Sequence, residues 1–390
     1  MIPVNVMEYQ QNRAWMEVDL DVIARNYLNI DARLREGCRI MAVLKADAYG
    51  LGAVNIARVF ERLGCPAFAV ATIEEAVELR DCRICTPVLI LGPVNPAHAA
   101  AAASHNFQVT LVDYRQAKAL SEATQSCGKR IDGHIKVDSG LSRFGLVIKN
   151  RPDESISEMK EIMSLPGLNV VGVFTHTSAF GAGRAEIERE RDELELFAQT
   201  VSKLKEVNPY LKAHCLSSST LSQFPEYSYD FVRIGALYSG MHPEYSSKFD
   251  VAQAVGLKAR VMQTKFLEEG TAVSYGATFV TRRLTRIAIV SIGYADGLRR
   301  SLSNRGFMIV QGRKAPIIGK ICCDCTILDV TDIPEAREGD VVTIFGRDSG
   351  EEQYVYHYAD VYPGSVSEVT ATLTPRIPRF YLGSAEEKVL

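Results

Sequence analysis

The stretch "IMAVLKADAYGLG" (residues 40–52) runs from apolar residues into a lone lysine, Lys45, followed at once by small residues, a tyrosine and two glycines. A continuous apolar run of this length reads as a strand covered on both faces, as in parallel sheets. The texture returns seven more times: "AFAVAT" (67–72), "PVLILG" (87–92), "FQVTLVD" (107–113), "GHIKVD" (133–138), "NVVGVFTH" (169–176), "KAHCLSS" (212–218) and "DFVRIGALYSG" (230–240). Between the runs lie helix-like segments such as 53–63, 73–80, 114–126 and 185–207. The last carries dense charge on a helical period, which reads as a solvated outer face. Strands alternating with helices predict right-handed β-α-β units and a parallel sheet. Eight such units in about 220 residues fit a closed (β/α)8 barrel, which takes roughly 250. No G-x-G-x-x-G follows the first strand, which weakens a dinucleotide-binding open sheet.

After residue 256 the texture changes. "LKARVMQTKFL", "TRIAIVSIGY", "GFMIVQG", "RKAPIIGKICCDCTILDV" and "DVVTIFG" are β-like runs separated by Gly, Pro, Asp and Asn turns. That pattern predicts a mainly antiparallel β-domain. The expected organisation is a segment 1–15 that pairs with this domain, a barrel over 16–250 and the β-domain over 251–390.

Composition narrows the function. The chain has 390 residues, a net charge of -3 and 47% hydrophobic content, enough for two large cores. The near-neutral balance gives no electrostatic case for nucleic acid or an anionic membrane. The opening lacks the basic and apolar regions of a secretory signal, and no run reaches the roughly 20 apolar residues of a membrane helix. Nine cysteines, an odd number without regular spacing, suit a reducing cytoplasm better than a disulfide framework. "CCDC" at 322–325 invites a metal, but no second Cys/His pair stands at zinc-ligand spacing, so ordinary thiols are the expectation.

In a parallel barrel chemistry sits at the C-terminal strand ends, where Lys45 stands. Lys45 is either an ammonium held by a neighbouring carboxylate, with Asp47 the candidate, or a Schiff-base lysine whose amine is made nucleophilic by desolvation or a neighbouring cation. The ordered set "KADAYGLG", "KVDSGLSRFG", "FTH", "LSSS", "FVRIGALYSG", "VSYGATF", "SIGYADG" and "ICCDCTILDV" decides between them. Together these strings resemble the alanine racemases, pyridoxal-phosphate enzymes with a barrel and a β-domain, from near residue 17 to near 381.

Carried over position by position, the resemblance implies that Lys45 binds pyridoxal 5'-phosphate covalently. It implies that Tyr49 and Ser218, with the backbone N–H groups of Gly235 and Ala236, hold the phosphate, and that Tyr294 approaches the same pocket. Arg233 would face the pyridine nitrogen; a guanidinium stays protonated, so that nitrogen must accept and remain unprotonated. Racemisation removes a proton from one face of Cα and delivers one to the other, which two opposed bases do without moving. The resemblance makes these Lys45 and Tyr275, with His176 bridging Tyr275 to Arg233. It places Tyr275 in the barrel pocket of a partner subunit, implying a homodimer with shared sites. Arg143 would meet the substrate carboxylate or Tyr275, and Lys136 matches a lysine often carbamylated. The residues alone also allow half-buried tyrosines at 49 and 294, a salt-bridged Arg233, a structural His176 and an unmodified Lys136.

The match has departures. Cys323, whose backbone N–H would bind the substrate carboxylate, stands where a methionine is usual, and Pro375 where a tyrosine is expected. An expected acidic residue falls near Gly181, Lys320 replaces an arginine at the channel mouth, and Leu51 stands where histidine is common. A less restrictive channel follows, with alanine the leading substrate and serine or a larger amino acid the alternative. A decarboxylase of the same fold type prefers a carboxylate at the ring nitrogen, against Arg233. A single-barrel, non-catalytic carrier of the cofactor would lack residues 256–390.

Overall fold

The computed structural model describes residues 11–125, 128–178, 183–242, 248–348, 350–361 and 365–383. The expectation placed on Gly181, and the first ten residues of the N-terminal segment, lie outside them. The described residues form two compact units: one made of 27–48 and 53–238, the other of 11–26, 49–52 and the residues from 239 onward.

The first unit is the barrel. Its strands are β2 (Arg39–Val43), β3 (Ala67–Val70), β4 (Val88–Pro93), β5 (Gln108–Leu111), β6 (Ile131–Asp138), β7 (Leu168–Phe174), β8 (Lys212–His214) and β9 (Phe231–Ile234). All neighbours are parallel, and β9 returns to β2 in the register Phe231↔Arg39 to Ile234↔Ala42. The ring closes between β8 and β9 through one bridge, Ser217↔Arg233, where the Arg233 N–H donates to the Leu216 carbonyl (3.0 Å). Ile40, Met41, Phe68, Leu89, Val109, Ile135, Val173, Ala213 and Val232 are wholly buried, because each strand meets side chains on both faces. At about 1.5–3 kcal/mol per buried large apolar side chain, this lining is the main source of the barrel's stability.

The outer helices are α2 (Ala53–Arg62), α3 (Ile73–Asp81), α4 (Ala99–Ser104), α5 (Tyr114–Gln125), α6 (Pro152–Met163), α7 (Arg184–Lys205) and α8 (Ser218–Gln223). They follow α1 (Leu20–Asp31), which crosses the boundary between the units. The charged face expected to be solvated on α7 is only partly so. Glu190 and Glu193 are buried, and they accept hydrogen bonds from the Thr177 hydroxyl (2.5 Å) and the Ser178 N–H (2.7 Å). Two acids one turn apart thus tie down the loop that leaves β7.

In the second unit β1 (Ala14–Asp19) pairs antiparallel with the long strand β10 (Val255–Leu267) and parallel with β16 (Arg379–Leu382). β10 also pairs antiparallel with β11 (Thr285–Val290) and β15 (Val341–Asp348). Antiparallel partners β12 (Phe307–Val310), β13 (Arg313–Pro316) and β14 (Thr326–Asp329) extend the sheet. Trp15 is buried here beneath the Arg260 guanidinium, 5.1 Å from its ring. Among the described residues no helix is long and apolar enough to cross a membrane, and no cluster of three or more His, Cys, Asp and Glu could hold a metal ion.

Candidate active site

Immediately after β2 the backbone leaves the ordinary regions. Ala46, Asp47, Ala48 and Tyr49 have φ between 52° and 59°, and Gly50 follows at 82°. Left-handed turns cost L-residues about 1–2 kcal/mol each, so the surroundings must enforce this one. Glu75 does so from the start of α3: its two oxygens accept from the Ala46 N–H (2.7 Å) and the Ala71 N–H (2.6 Å). Asp47 accepts from the Ala53 N–H (2.7 Å) and so serves the start of α2. The turn leaves Lys45 half-buried at the barrel mouth. Burial, then the Arg143 and Arg233 charges, hold its amine below the usual lysine value, with Glu75 pulling the other way. Lys45 and Arg143 both line a cavity of about 520 Å³ with Thr72, Ile90, Asn95 and His98.

Arg233 organises the barrel floor. Its guanidinium donates to the carbonyls of Thr175 (2.7 Å), Cys215 (3.0 Å) and His214 (3.1 Å), to His214 Nδ1 (2.9 Å) and to His176 Nδ1 (3.3 Å). Among the described residues no carboxylate pairs with it. Arginine only donates, so both imidazoles must present a bare Nδ1. His214 then carries its proton on Nε2 and donates to His134 Nδ1 (3.0 Å). Gly172 makes room for this ladder, since a Cβ there would lie 2.2 Å from His134 Nδ1. Burial, then Arg233, pushes His134 down to about 4 and His214 and His176 well below their usual value. Burial lowers Arg233 itself only to about 10, so it stays charged at neutral pH.

The neutral ladder gives a pH prediction. A histidine whose folded value is depressed contributes stability above its unfolded value, and that contribution is lost as pH falls toward the folded one. The window for His134 is therefore 6.5 down to about 4, worth about 3 kcal/mol for this group. The urea midpoint is expected to fall steadily across that window, and to fall less steeply in His134→Gln. Equal slopes would show that the ladder does not titrate.

Other expected residues of the barrel unit sit at the same strand ends. Lys136 is buried on β6, donates to the Val137 carbonyl (2.7 Å) and is lowered to about 7, by burial first and then Arg233. Its Nζ lies 5.3 Å from the Phe174 ring. Arg143 is exposed on the loop after β6. The Ser218 hydroxyl accepts from the Gly235 N–H (3.2 Å), so these two converge where β8 and β9 end, with Ala236 next in the chain.

Tyr49, Tyr275, Tyr294, Cys323, Lys320, Leu51 and Pro375 belong to the second unit. Burial pushes the Tyr49 phenol up to about 12. Tyr275 is 67% exposed on a turn strained at Ser274 (φ 62°) and Ala277 (φ 47°). Tyr294 is exposed, and the nearby Cys323 thiol is the first cause of its raised phenol. Pro375 is exposed and Leu51 buried.

Comparison with known proteins settles the lineage. Residues 18–243 match the alanine racemase N-terminal domain and residues 254–381 the alanine racemase C-terminal domain. The chain belongs to the alanine racemase family. It is 37% identical to the alanine racemase of Desulfosudis oleivorans, over 96% of this chain and 98% of that one. It superposes on the alanine racemase of Clostridium difficile 630 with a TM-score of 0.88 at 28% identity, covering 96% and 97% of the two chains. It also superposes on that of Bartonella henselae, which holds covalently bound pyridoxal phosphate, with a TM-score of 0.84 at 26% identity over 95% and 100%. Alanine racemases are pyridoxal-phosphate enzymes, and the residues present fit that cofactor. A depressed amine, a buried guanidinium with no carboxylate, and a hydroxyl with backbone N–H groups offer partners for an aldehyde, a pyridine nitrogen and a phosphate.

Sequence reasoning missed Glu75, His134 and His214. The two histidines stood in view as polar residues inside apolar strand runs, "GHIKVD" and "KAHCLSS". Nothing in the sequence showed that they stack behind Arg233.

Proposed function

We propose that this protein interconverts L- and D-alanine with pyridoxal phosphate held by Lys45, Arg233, Ser218, Tyr49, Tyr294 and the backbone of Gly235 and Ala236. The observation that carries the reading is Arg233, a buried cation held by carbonyls and neutral imidazoles alone. A buried guanidinium without a carboxylate gains by donating to a neutral acceptor such as an unprotonated ring nitrogen. The cofactor, when bound, withdraws electrons from the substrate and acidifies its Cα–H. Arg233 keeps the ring nitrogen in the accepting role, which limits that withdrawal and favours prompt reprotonation over competing reactions.

Lys45 handles the proton on one face of Cα. Its amine, held below the usual lysine value, is suited to exchange a proton near neutral pH. Tyr275 handles the opposite face. His176, whose Nδ1 accepts from Arg233, retains an Nε2–H that can donate to the Tyr275 oxygen and steady its anion. Exposure of Tyr275 on a strained turn supports its delivery across the interface of a homodimer. Arg143 and the Cys323 N–H hold the substrate carboxylate. The Lys136 amine, neutral in good part near pH 7, suits capture of carbon dioxide as a carbamate, which would orient Arg143. A relative from Bacillus anthracis was solved with bound L-Ala-P, in keeping with an alanine-sized substrate. Cys323 and Pro375 favour a second reading, a wider pocket that takes serine or a larger amino acid. The free thiols suit a cytoplasmic enzyme, and supply of D-alanine for cell-wall synthesis is the role we infer.

A chiral assay over a panel of L- and D-amino acids tests this directly. Alanine is expected to be racemised fastest from either enantiomer. Faster turnover of serine would move the substrate, and turnover of none would remove the function.

A further inference from the structure

The second unit carries a pair of thiols that the reaction does not use. Cys322 and Cys325 flank the two-residue tip Cys323–Asp324, and the Cys322 N–H donates to the Cys325 carbonyl (3.0 Å). One bond across a two-residue tip draws the flanking backbone together toward the roughly 5.5 Å Cα separation of a fully bonded pair, and a disulfide spans about 4.4–6.8 Å. The Cys322 thiol is near enough to Cys325 to raise it further, after burial. Both thiols are partly exposed.

The tip between them is pinned. Asp324 accepts from Arg376 (2.7 Å), and the Cys322 and Cys323 carbonyls accept from the Tyr294 (3.1 Å) and Ala295 (3.0 Å) N–H groups. Gly293 permits that approach, since a Cβ there would lie 2.3 Å from the Cys323 oxygen. Cys323 thus sits at the pinned tip, and Cys322 and Cys325 are the pair that the backbone bond holds across it.

Cys322 reaches further. Its sulfur lies 3.4 Å from the Ser274 hydroxyl, which also donates to the Lys320 carbonyl (2.5 Å). Ser274 immediately precedes Tyr275 on the strained turn. Drawing the Cys322 sulfur toward Cys325 would break the contact that steadies that turn.

We propose that Cys322 and Cys325 form a reversible disulfide under peroxide, and that this bond switches the enzyme off by displacing the Tyr275 turn. In the first step the Cys322 sulfur attacks one peroxide oxygen, an S–O bond forms, the O–O bond breaks and water leaves. In the second the Cys325 sulfur attacks the Cys322 sulfenic acid, the S–S bond forms and the Cys325 proton leaves with hydroxide as a second water. Two thiols are oxidised and one peroxide reduced. Burial pushes the Cys325 thiol up to about 11, which fits it to the second step rather than the first.

The molecule contains its own comparison. Cys82 and Cys85 have the same spacing and Cys85 is exposed, but among the described residues no backbone hydrogen bond joins them: the Cys85 N–H donates to Glu61 (2.8 Å) and the Cys82 N–H to the Glu78 carbonyl (3.1 Å). The effect on activity rests on the racemase reading; the bond itself does not. The test treats reduced full-length protein with hydrogen peroxide, alkylates the remaining thiols, and maps the tryptic peptide 321–337, which holds Cys322, Cys323 and Cys325. One adduct, at Cys323, with two hydrogens missing from the peptide, is expected before Cys82 and Cys85 react. Activity should fall at least ~10-fold, the scale set by displacing a reacting group, and return with a thiol reductant. Cys325→Ser should keep its activity over the same exposure. Three adducts, an adduct at Cys322 or Cys325, or faster bridging of Cys82 to Cys85 would overturn the site. A complete disulfide with undiminished activity would overturn the switch. Failure of the racemase reading would show earlier, as no activity before peroxide is added.

Discussion

Lys45→Ala is expected to lower racemase kcat/KM by at least ~10⁴-fold, because one side chain is asked to hold the cofactor and to move a proton. Positioned acid–base groups alone are worth about 10²–10⁴, and loss of the covalent attachment removes orientation besides. The fold should tolerate the change. The left-handed turn is held through the Ala46 N–H by Glu75 and by Asp47 on the Ala53 N–H, neither of which uses the lysine side chain. The measurement is a chiral assay beside borohydride trapping and peptide mass analysis. The parent protein should carry the reduced cofactor on Lys45 and the variant none. A variant within tenfold of the parent would mean that another amine does this work.

Tyr275→Phe is expected to cost about 10²–10⁴-fold in racemisation while leaving cofactor binding and thermal stability nearly unchanged. The ring is 67% exposed, so removing its hydroxyl leaves no buried group unsatisfied. Both directions must slow equally, since the equilibrium between enantiomers is fixed. Exchange of the Cα hydrogen with solvent need not follow. Lys45 would still serve one face, so one enantiomer should continue to take up deuterium from heavy water while the other exchanges slowly. Deuterium uptake followed by NMR from each pure enantiomer separates the cases. Equal loss of exchange from both, or parallel loss of cofactor affinity, would reduce Tyr275 to a structural residue.

Much of the architecture was legible because barrel strands covered on both faces leave an unmistakable trace. All eight apolar runs became strands, and the β-rich texture after residue 256 became the second sheet. Lys45 could be singled out because an ammonium at the end of an apolar run needs a reason. The reading was weaker wherever a role depends on three-dimensional neighbours. The helical charge pattern of α7 gave no sign that Glu190 and Glu193 turn inward to the Thr177–Ser178 loop. The backbone after Lys45 was equally silent, since "ADAY" contains nothing that advertises positive φ. The histidine ladder behind Arg233 joins residues 80 and 19 positions apart, which no local pattern can connect.

The turn from Ala46 to Tyr49 inverts the customary advice of protein engineering. Elsewhere in a chain, glycine is the substitution that loosens and alanine the one that firms. Here four side-chain-bearing residues in succession adopt a handedness natural only to glycine. Consensus-minded stabilisation of this segment by stiffer or bulkier residues would load a spring already wound. The choice of residue at these positions is therefore limited by the winding of the main chain as well as by what side chains such as Asp47 touch.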